Sequence, residues 1–418
     1  MSFPRYPSYK DSGVEWLGEV PGHWAVVQFK QFVDIQNGSD HKHVEQADGY
    51  PVLGSGGVFT YASEFLYDGE SVLLGRKGTI DKPLHITGRF WTVDTMYWTK
   101  INPAASGRFT YYSALTIPFN YFSTNTALPS MTKSALNSHL VARPPLSEQT
   151  QIAAFLDRET AKIDALVAEQ RRLMELLKEK RQAVISHAVT RGLNPDAPMK
   201  PSGIEWLGDV PAHWDVIKMK WVAEMQSGHT PDKKIPAYWE NGEIPWVSLS
   251  DTGYLKDNDY ISETAYSISQ LGIENSSARL LPPRVVVFSR DATIGRCAIT
   301  TRPMAVSQHF IAWVCGEAII PEFLLLRLRS MTHELDRLTT GATLKTIGMP
   351  EVRTIVTPVP PVKEQHAIID WVSAQVSQLD TLTAEAQRAI DLLQERHTAL
   401  ISAAVTGQID VRGATELL

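Results

Sequence analysis

Apolar positions recur at spacings of three and four through one long stretch without glycine or proline, Ser147 to Thr190. Ile163, Leu166, Val167, Leu173, Met174, Leu177, Val184, Ile185 and Ala188 mark a narrow stripe there. That period predicts a helix with Ser147 as its N-cap. A second stretch keeps the same phase at Leu379, Leu382, Ala386, Ile390, Leu393, Leu400, Ile401 and Ala404. Arg171, Arg172, Glu175, Lys178 and Glu179 lie off the stripe, so either helix alone would leave apolar surface in water. One remedy is for each helix to lie on its own domain; the shared phase favours pairing the two. Two equivalent halves related by a pseudo-twofold axis would point the helices in opposite directions. The expectation is therefore an antiparallel coiled coil with a seam of Ile163, Leu166, Leu173, Leu177, Val184, Leu379, Leu382, Ile390, Leu393 and Leu400.

The remaining apolar runs are short, β-branched or aromatic, and bounded by Gly, Pro, Asp and Asn. Val52-Leu53, Ser71 to Leu74 and Thr92 to Trp98 read as strands, as do Arg284 to Phe288 and Phe310 to Val314; Glu322 to Leu338 reads as helical. The fold class is α+β: two mixed α/β domains, 1–146 and 201–361, joined by long helices over 147–192 and 362–411. Residues 193–200 form a proline-rich linker and 412–418 a tail.

The chain also repeats itself in sequence. Ser12 to Trp24 returns as Ser202 to Trp214, with ten of thirteen positions identical. Pro144-Pro145-Leu146-Ser147-Glu148-Gln149 returns as Pro360-Pro361-Val362-Lys363-Glu364-Gln365, at an offset of 216, and the match runs without a gap to Thr190 and Thr406. The order is variable, repeated, variable, repeated.

Composition adds boundaries. At 418 residues, 43% hydrophobic and 21% charged, the chain suits two or three globular domains and excludes wholesale disorder. Its net charge is −6, so a nucleic-acid site must be a local surface. Cys297 and Cys315 have no C-x-x-C spacing, and neither a signal peptide nor a long apolar span is evident; a cytoplasmic protein is expected. Catalytic signatures are missing as well. No phosphate-binding loop occurs, and Gly54-Ser55-Gly56-Gly57 reads as a turn, with Phe59 where a dinucleotide fingerprint needs glycine. Asn102-Pro103-Ala104-Ala105 fails as a base-methylation loop, and Asp232-x-Lys234 lacks the acid and strand that frame a nuclease site. His41 and His43 suit a polar loop better than a metal site.

One further pair of loops answers across the halves: Leu74-Gly75-Arg76-Lys77-Gly78-Thr79-Ile80 and Phe288 to Arg296. Basic and hydroxyl side chains on a small-residue loop suit phosphate or base-edge contacts, and Arg76, Lys77, Thr79, Arg290, Thr293 and Arg296 are the candidates. A solvated hairpin would show the same pattern. The repeated tryptophans Trp16, Trp24, Trp206 and Trp214 read as packing anchors rather than base-stacking platforms. The turns before the long helices, Leu128 to Lys133 and Thr343 to Gly348, differ in sequence, which predicts an unequal role for them in the two halves.

The S-G-[VI]-E-W-L-G-[ED]-V-P-x-H-W opening, the P-P-[LV]-x-E-Q start of each long helix and the two-copy arrangement together resemble the specificity subunit of a Type I restriction-modification system, over nearly the whole chain. The resemblance implies two target recognition domains, each reading half of an asymmetric bipartite sequence in double-stranded DNA. It implies a non-catalytic chain whose helices act as spacer and dock two methyltransferase subunits. S-adenosylmethionine would bind in those partners; ATP and Mg would belong to two motor-nuclease subunits. As a ruler, Asp157 to Thr190 would span about 50 Å, or at most about 15 base pairs. The first 150 residues hold 12 Lys and Arg against 13 Asp and Glu, so weak DNA binding by the lone chain is expected. The competing readings are an autonomous restriction or modification enzyme and a coiled-coil scaffold with no DNA role.

Overall fold

The computed structural model describes residues 3–119, 129–341 and 345–415; Leu128, Thr343 and Leu344 of the compared turns lie outside them. The chain forms two compact units, Met1–Arg171 with Gln387–Leu418, and Arg172–Ala386. Each unit holds one mixed α/β head and half of each long helix. The division therefore falls inside the helices instead of at the head boundaries expected from sequence.

The long helices span Leu146–Arg191 and Val362–Val405. Ser147 lies in the first turn of the first helix and does not cap it, because the helix already begins at Leu146. The second stops at Val405, short of the expected 411. Gly407, at φ 78°, turns the chain back, Asp410 N–H donates to Pro4 O (2.8 Å), and Val411 enters the core of the first unit.

In the first head a four-stranded sheet runs in the order Leu84–Ile86, Ser71–Gly75, Met96–Ile101, Val33–Asn37. A five-stranded sheet has the order Glu45–Gln46, Gly57–Ala62, Tyr50–Gly54, Arg89–Thr92, Tyr67–Asp68. The run Thr92 to Trp98, expected as one strand, is two: Met96 N–H closes a turn on Val93 O (3.0 Å), and the strands on either side enter different sheets. Gly54 to Gly57 is the hairpin turn it reads as. The second head has a five-stranded sheet, Ala223–Ser227, Phe310–Cys315, Val286–Ser289, Cys297–Thr300, Tyr260–Ile261, and a three-stranded one. Its helical stretch is two helices, Pro321–Ser330 and Thr332–Arg337. Met199–Pro201, partly inside the expected linker, pairs with Asp209–Pro211 just as Tyr9–Asp11 pairs with Glu19–Pro21.

Within each unit the half-helices pair antiparallel. In the first, Phe155 and Leu156 share a core with Ile401, Ala404 and Val405, and Asp164 faces His397 at 3.9 Å. In the second, Ile185, Ala188 and Val189 share a core with Ile368 and Val372, and Arg181 faces Asp380 at 3.6 Å. The two charged contacts are copies of one another, since Asp164/Asp380 and Arg181/His397 are both 216 apart.

The seam needs correcting at three positions. Ile163, Leu177, Leu379 and Ile390 are buried, and Val184, Leu393 and Leu400 half-buried. Leu166, Leu173 and Leu382 are 51%, 41% and 47% exposed. The least exposed line on the first helix passes through Ile163, Val167, Gln170, Met174, Leu177, Arg181, Val184 and Ala188, in alternating steps of four and three. Leu166 and Leu173 each precede a seam residue by one, which turns them about 100° away from it. Leu382 likewise precedes the inward Thr383.

Candidate nucleic-acid interface

Each head stands on a base built from the two repeated sequence motifs. The second-half carboxylate of the P-P-x-x-E-Q motif, Glu364, accepts from Trp214 Nε1 (3.0 Å) and bonds His213 Nε2 (2.8 Å). In the first half Glu148 bonds His23 Nε2 (2.9 Å), but Tyr6 Oη donates to its other oxygen (2.6 Å), while Trp24 Nε1 has no acceptor among the described residues. Burial first, and then the bond to Glu148, push the Tyr6 hydroxyl above its ordinary pKa. The neighbouring glutamine ties helix to head through backbone atoms. Gln149 accepts from Ser106 N (2.9 Å) and donates to Pro144 O (3.0 Å); Gln365 accepts from Ile320 N (2.9 Å) and donates to Ala318 O (2.8 Å) and Pro360 O (2.9 Å).

A glycine from the end of the other long helix completes each base. Gly192, at φ 74°, lies where a Cβ would come within 3.1 Å of Trp214 and 3.2 Å of Glu364. Gly407 holds the equivalent place against Pro21 and Trp24. A side chain there would be strained twice, by backbone conformation and by contact. These contacts give Trp24 and Trp214 their packing role, and both are fully buried. The other two tryptophans differ. Trp16 is partly exposed and stacks on His139 (5.3 Å, 10°), whereas Trp206 lies beneath the buried Arg327 guanidinium (5.0 Å).

Above these bases the candidate loops occupy equivalent places. Arg76 N–H donates to Thr95 O (2.9 Å) and Arg290 N–H to His309 O (3.0 Å). The guanidinium groups turn inward onto carbonyls, Arg76 to Asp94 O (3.2 Å), and Arg290 to Gln308 O (3.2 Å) and Ile347 O (3.0 Å). Arg76 and Arg290 are consequently half-buried, Arg296 is half-buried too, and Lys77, Thr79 and Thr293 are the exposed members.

The pre-helix turns dock onto these loops by the same backbone bonds in both heads. Met131 N–H donates to Arg76 O (3.0 Å) and Ile347 N–H to Arg290 O (2.9 Å); Gly78 N–H donates to Pro129 O (2.9 Å) and Ala292 N–H to Lys345 O (2.8 Å). The described parts of the turns, 129–133 and 345–348, thus dock through the same backbone bonds on different side chains: one backbone bridge pairs Lys77 with Ser130, and its counterpart pairs Asp291 with Thr346.

The histidines of the 41–43 loop pack on aromatic rings, His41 edge-on to Phe59 (5.2 Å) and His43 to Trp91 (5.5 Å). Asp232 caps its own turn by accepting from Lys234 N (2.9 Å). Sequence reading did not assign the roles of Glu148, Glu364, Gln149 and Gln365, although their repetition at one offset was the available signal. It missed Gln308 and His309 altogether. Among the described residues no helix is long and apolar enough to cross a membrane.

Comparisons with known proteins agree with this geometry. The family model for the Type I restriction modification DNA specificity domain matches residues 21–174 and 211–391, each match opening at the equivalent proline. The specificity subunit of type I restriction enzyme MjaIX from Methanocaldococcus jannaschii is 27% identical over 45% of this chain and 43% of its own length. That of MjaVIII, from the same organism, is 22% identical over 69% and 66%. This chain therefore spans less than two thirds of either relative. The EcoDI specificity subunit of Escherichia coli is 20% identical over 96% of this chain and 91% of its own length. Among solved structures, a chain from work on complex assembly and conformational transition of the type I R-M system superposes with a TM-score of 0.70, at 15% identity over 92% of this chain and 98% of that one. The HsdS subunit from Thermoanaerobacter tengcongensis gives 0.55, also at 15% identity, over 93% and 98%. At such identity the likeness is one of fold.

Proposed function

The chain belongs to the Type I restriction modification DNA specificity family, and on that premise we propose that it supplies address and scaffold to a restriction-modification complex, without a reaction of its own. Each head reads one half of a two-part sequence in double-stranded DNA. The observation that carries this reading is the pair of loops on Arg76 and Arg290: identical backbone docking holds an exposed Lys77 beside Ser130 in one head, and in the other a buried Asp291 that bonds Thr346 and His309. One frame with two sets of side chains suits two unlike half-sites, because base edges are told apart by donors and acceptors rather than by backbone contacts.

The helices supply the docking surface. Leu166 and Leu392 in the first unit, Leu176 and Leu382 in the second, are exposed and lie off the seam, and they are exchanged in pairs by the offset of 216. Two equivalent apolar surfaces fit two copies of one partner, the methyltransferase. On this reading S-adenosylmethionine is bound by the methyltransferase subunits, and ATP and Mg2+ by two motor-nuclease subunits.

Single-molecule methylation sequencing of DNA from a host carrying the chain with its methyltransferase partner tests the proposal. One asymmetric, two-part adenine-methylation motif is expected. A contiguous motif, or methyl transfer by the purified chain alone, overturns it.

A further inference from the structure

One end of the second head carries a chain of polar side chains gathered from four separate stretches of sequence. Thr346 Oγ1 donates to Asp291 Oδ1, and the other carboxylate oxygen accepts from His309 Nδ1 (2.7 Å). His309 Nε2 lies 3.3 Å from Gln308 Nε2, and Thr230 Oγ1 donates to Gln308 Oε1. The carboxylate can only accept, so it holds a proton on Nδ1 and sets the ring with Nε2 toward the glutamine amide. The backbone is fixed too, since Arg290 holds Gln308 O (3.2 Å) and donates through its own N–H to His309 O (3.0 Å).

A glutamine amide has two N–H groups and two lone pairs. This network uses one of each. A half-buried amide is thus held by two bonds with one donor and one acceptor uncommitted, and a donor and an acceptor are what glutamine uses to bind N7 and N6 of adenine in the major groove. Exposed Lys233 and Lys234 follow Thr230, and exposed Lys345 precedes Thr346, so cations suited to phosphates lie at both ends of the chain. In the first head the equivalent positions are Asp40, Lys77, Asp94, Thr95 and Ser130, which cannot build the same array.

We propose that Gln308 reads an adenine in the half-site bound by the second head, with His309, Asp291 and Thr230 as positioning residues that hold its amide edge outward. The inference rests on the reading of the chain as a DNA specificity subunit.

The test uses the full chain assembled with its methyltransferase partner, and measures methylation and binding across every single-base variant of the wild-type target. Gln308→Leu should lose discrimination by about 10- to 100-fold at one A·T pair of one half-site, with the other half-site and the spacing retained. Gln308→Glu should move preference at that same pair toward cytosine, whose amino group a carboxylate accepts, a change that misfolding cannot imitate. His309→Ala should weaken discrimination at that pair and at no other. A target unchanged in the Gln308 variants overturns the proposal and leaves the specificity reading standing. So does a loss spread over both half-sites, or a failure to assemble, since either makes Gln308 a structural residue. A wild-type complex without a two-part target overturns the reading itself.

Discussion

Single positions show how one frame tolerates different chemistry in its two copies. His139 and Ile355 are equivalent, and their carbonyls accept matching bonds from Phe29 N (2.7 Å) and Met219 N (2.9 Å). Only the histidine titrates, and burial pulls its pKa from 6.5 down to about 4. The unfolded chain takes up that proton as pH falls through 6.5, whereas the folded chain resists until about 4. Its effect on stability is therefore absent above the unfolded value and grows as a penalty through that window. His139→Ile, which installs the residue of the second half, should shrink the difference between urea midpoints measured at about pH 7 and about pH 5. An undiminished difference would place the acid sensitivity elsewhere. The second half meets the same tryptophan position with Arg327, whose pKa burial lowers to about 9 and which donates to Ser330 Oγ (2.7 Å) while lying over Trp206.

At the scale of elements, the long helices separate what holds them together from what they leave exposed. Ile163 is 5% exposed and Leu166 is 51% exposed, one helical turn apart. Ile163→Ala should lower stability by about 2–5 kcal/mol, and Leu166→Ala by no more than about 0.5 kcal/mol, in urea unfolding of the full chain. In a pull-down with the methyltransferase the order should reverse, Leu166→Ala weakening binding more than Ile163→Ala; equal binding by both would remove the leucine surface from the interface. The helices, their partnership and their direction were legible because the spacing repeats at a constant offset. The choice of seam was not, because apolar residues at three-and-four spacing draw two adjacent lines on a helix, and the true line admits Gln170, Arg181, Thr383 and His397. Sequence also hid the Thr230, Asp291, Gln308, His309 and Thr346 array, whose members meet only when backbone bonds bring four distant stretches together.

For the whole molecule, the expected consequence is that one head can be replaced without the other. Gln365 joins the second helix to its head through Ile320 N, Ala318 O and Pro360 O, and Gln149 joins the first through Ser106 N, Ala104 O and Pro144 O. Any sequence that folds to the same backbone presents those atoms, so the glutamine bonds make no demand on the side chains of the head. Demands on particular side chains come from Glu364, which takes His213 and Trp214, from the close approach of Gly192, and from the apolar core that Ile368 and Val372 share with Phe323 and Leu324 of the head. Of these, Glu364, His213, Trp214 and Gly192 lie outside 215–358, and the core partners inside it need to be apolar and of similar size. Replacing 215–358 with the corresponding stretch of another family member should leave the base intact and rewrite one half-site of the target, and a methylation map of the hybrid complex reads both halves at once. Retention of the first half-site beside a new second one is expected, because Glu148 and Gln149 make the corresponding bonds within the first unit. A hybrid that assembles but changes both half-sites would show that the heads read the duplex jointly, and the separate-reader account would fall.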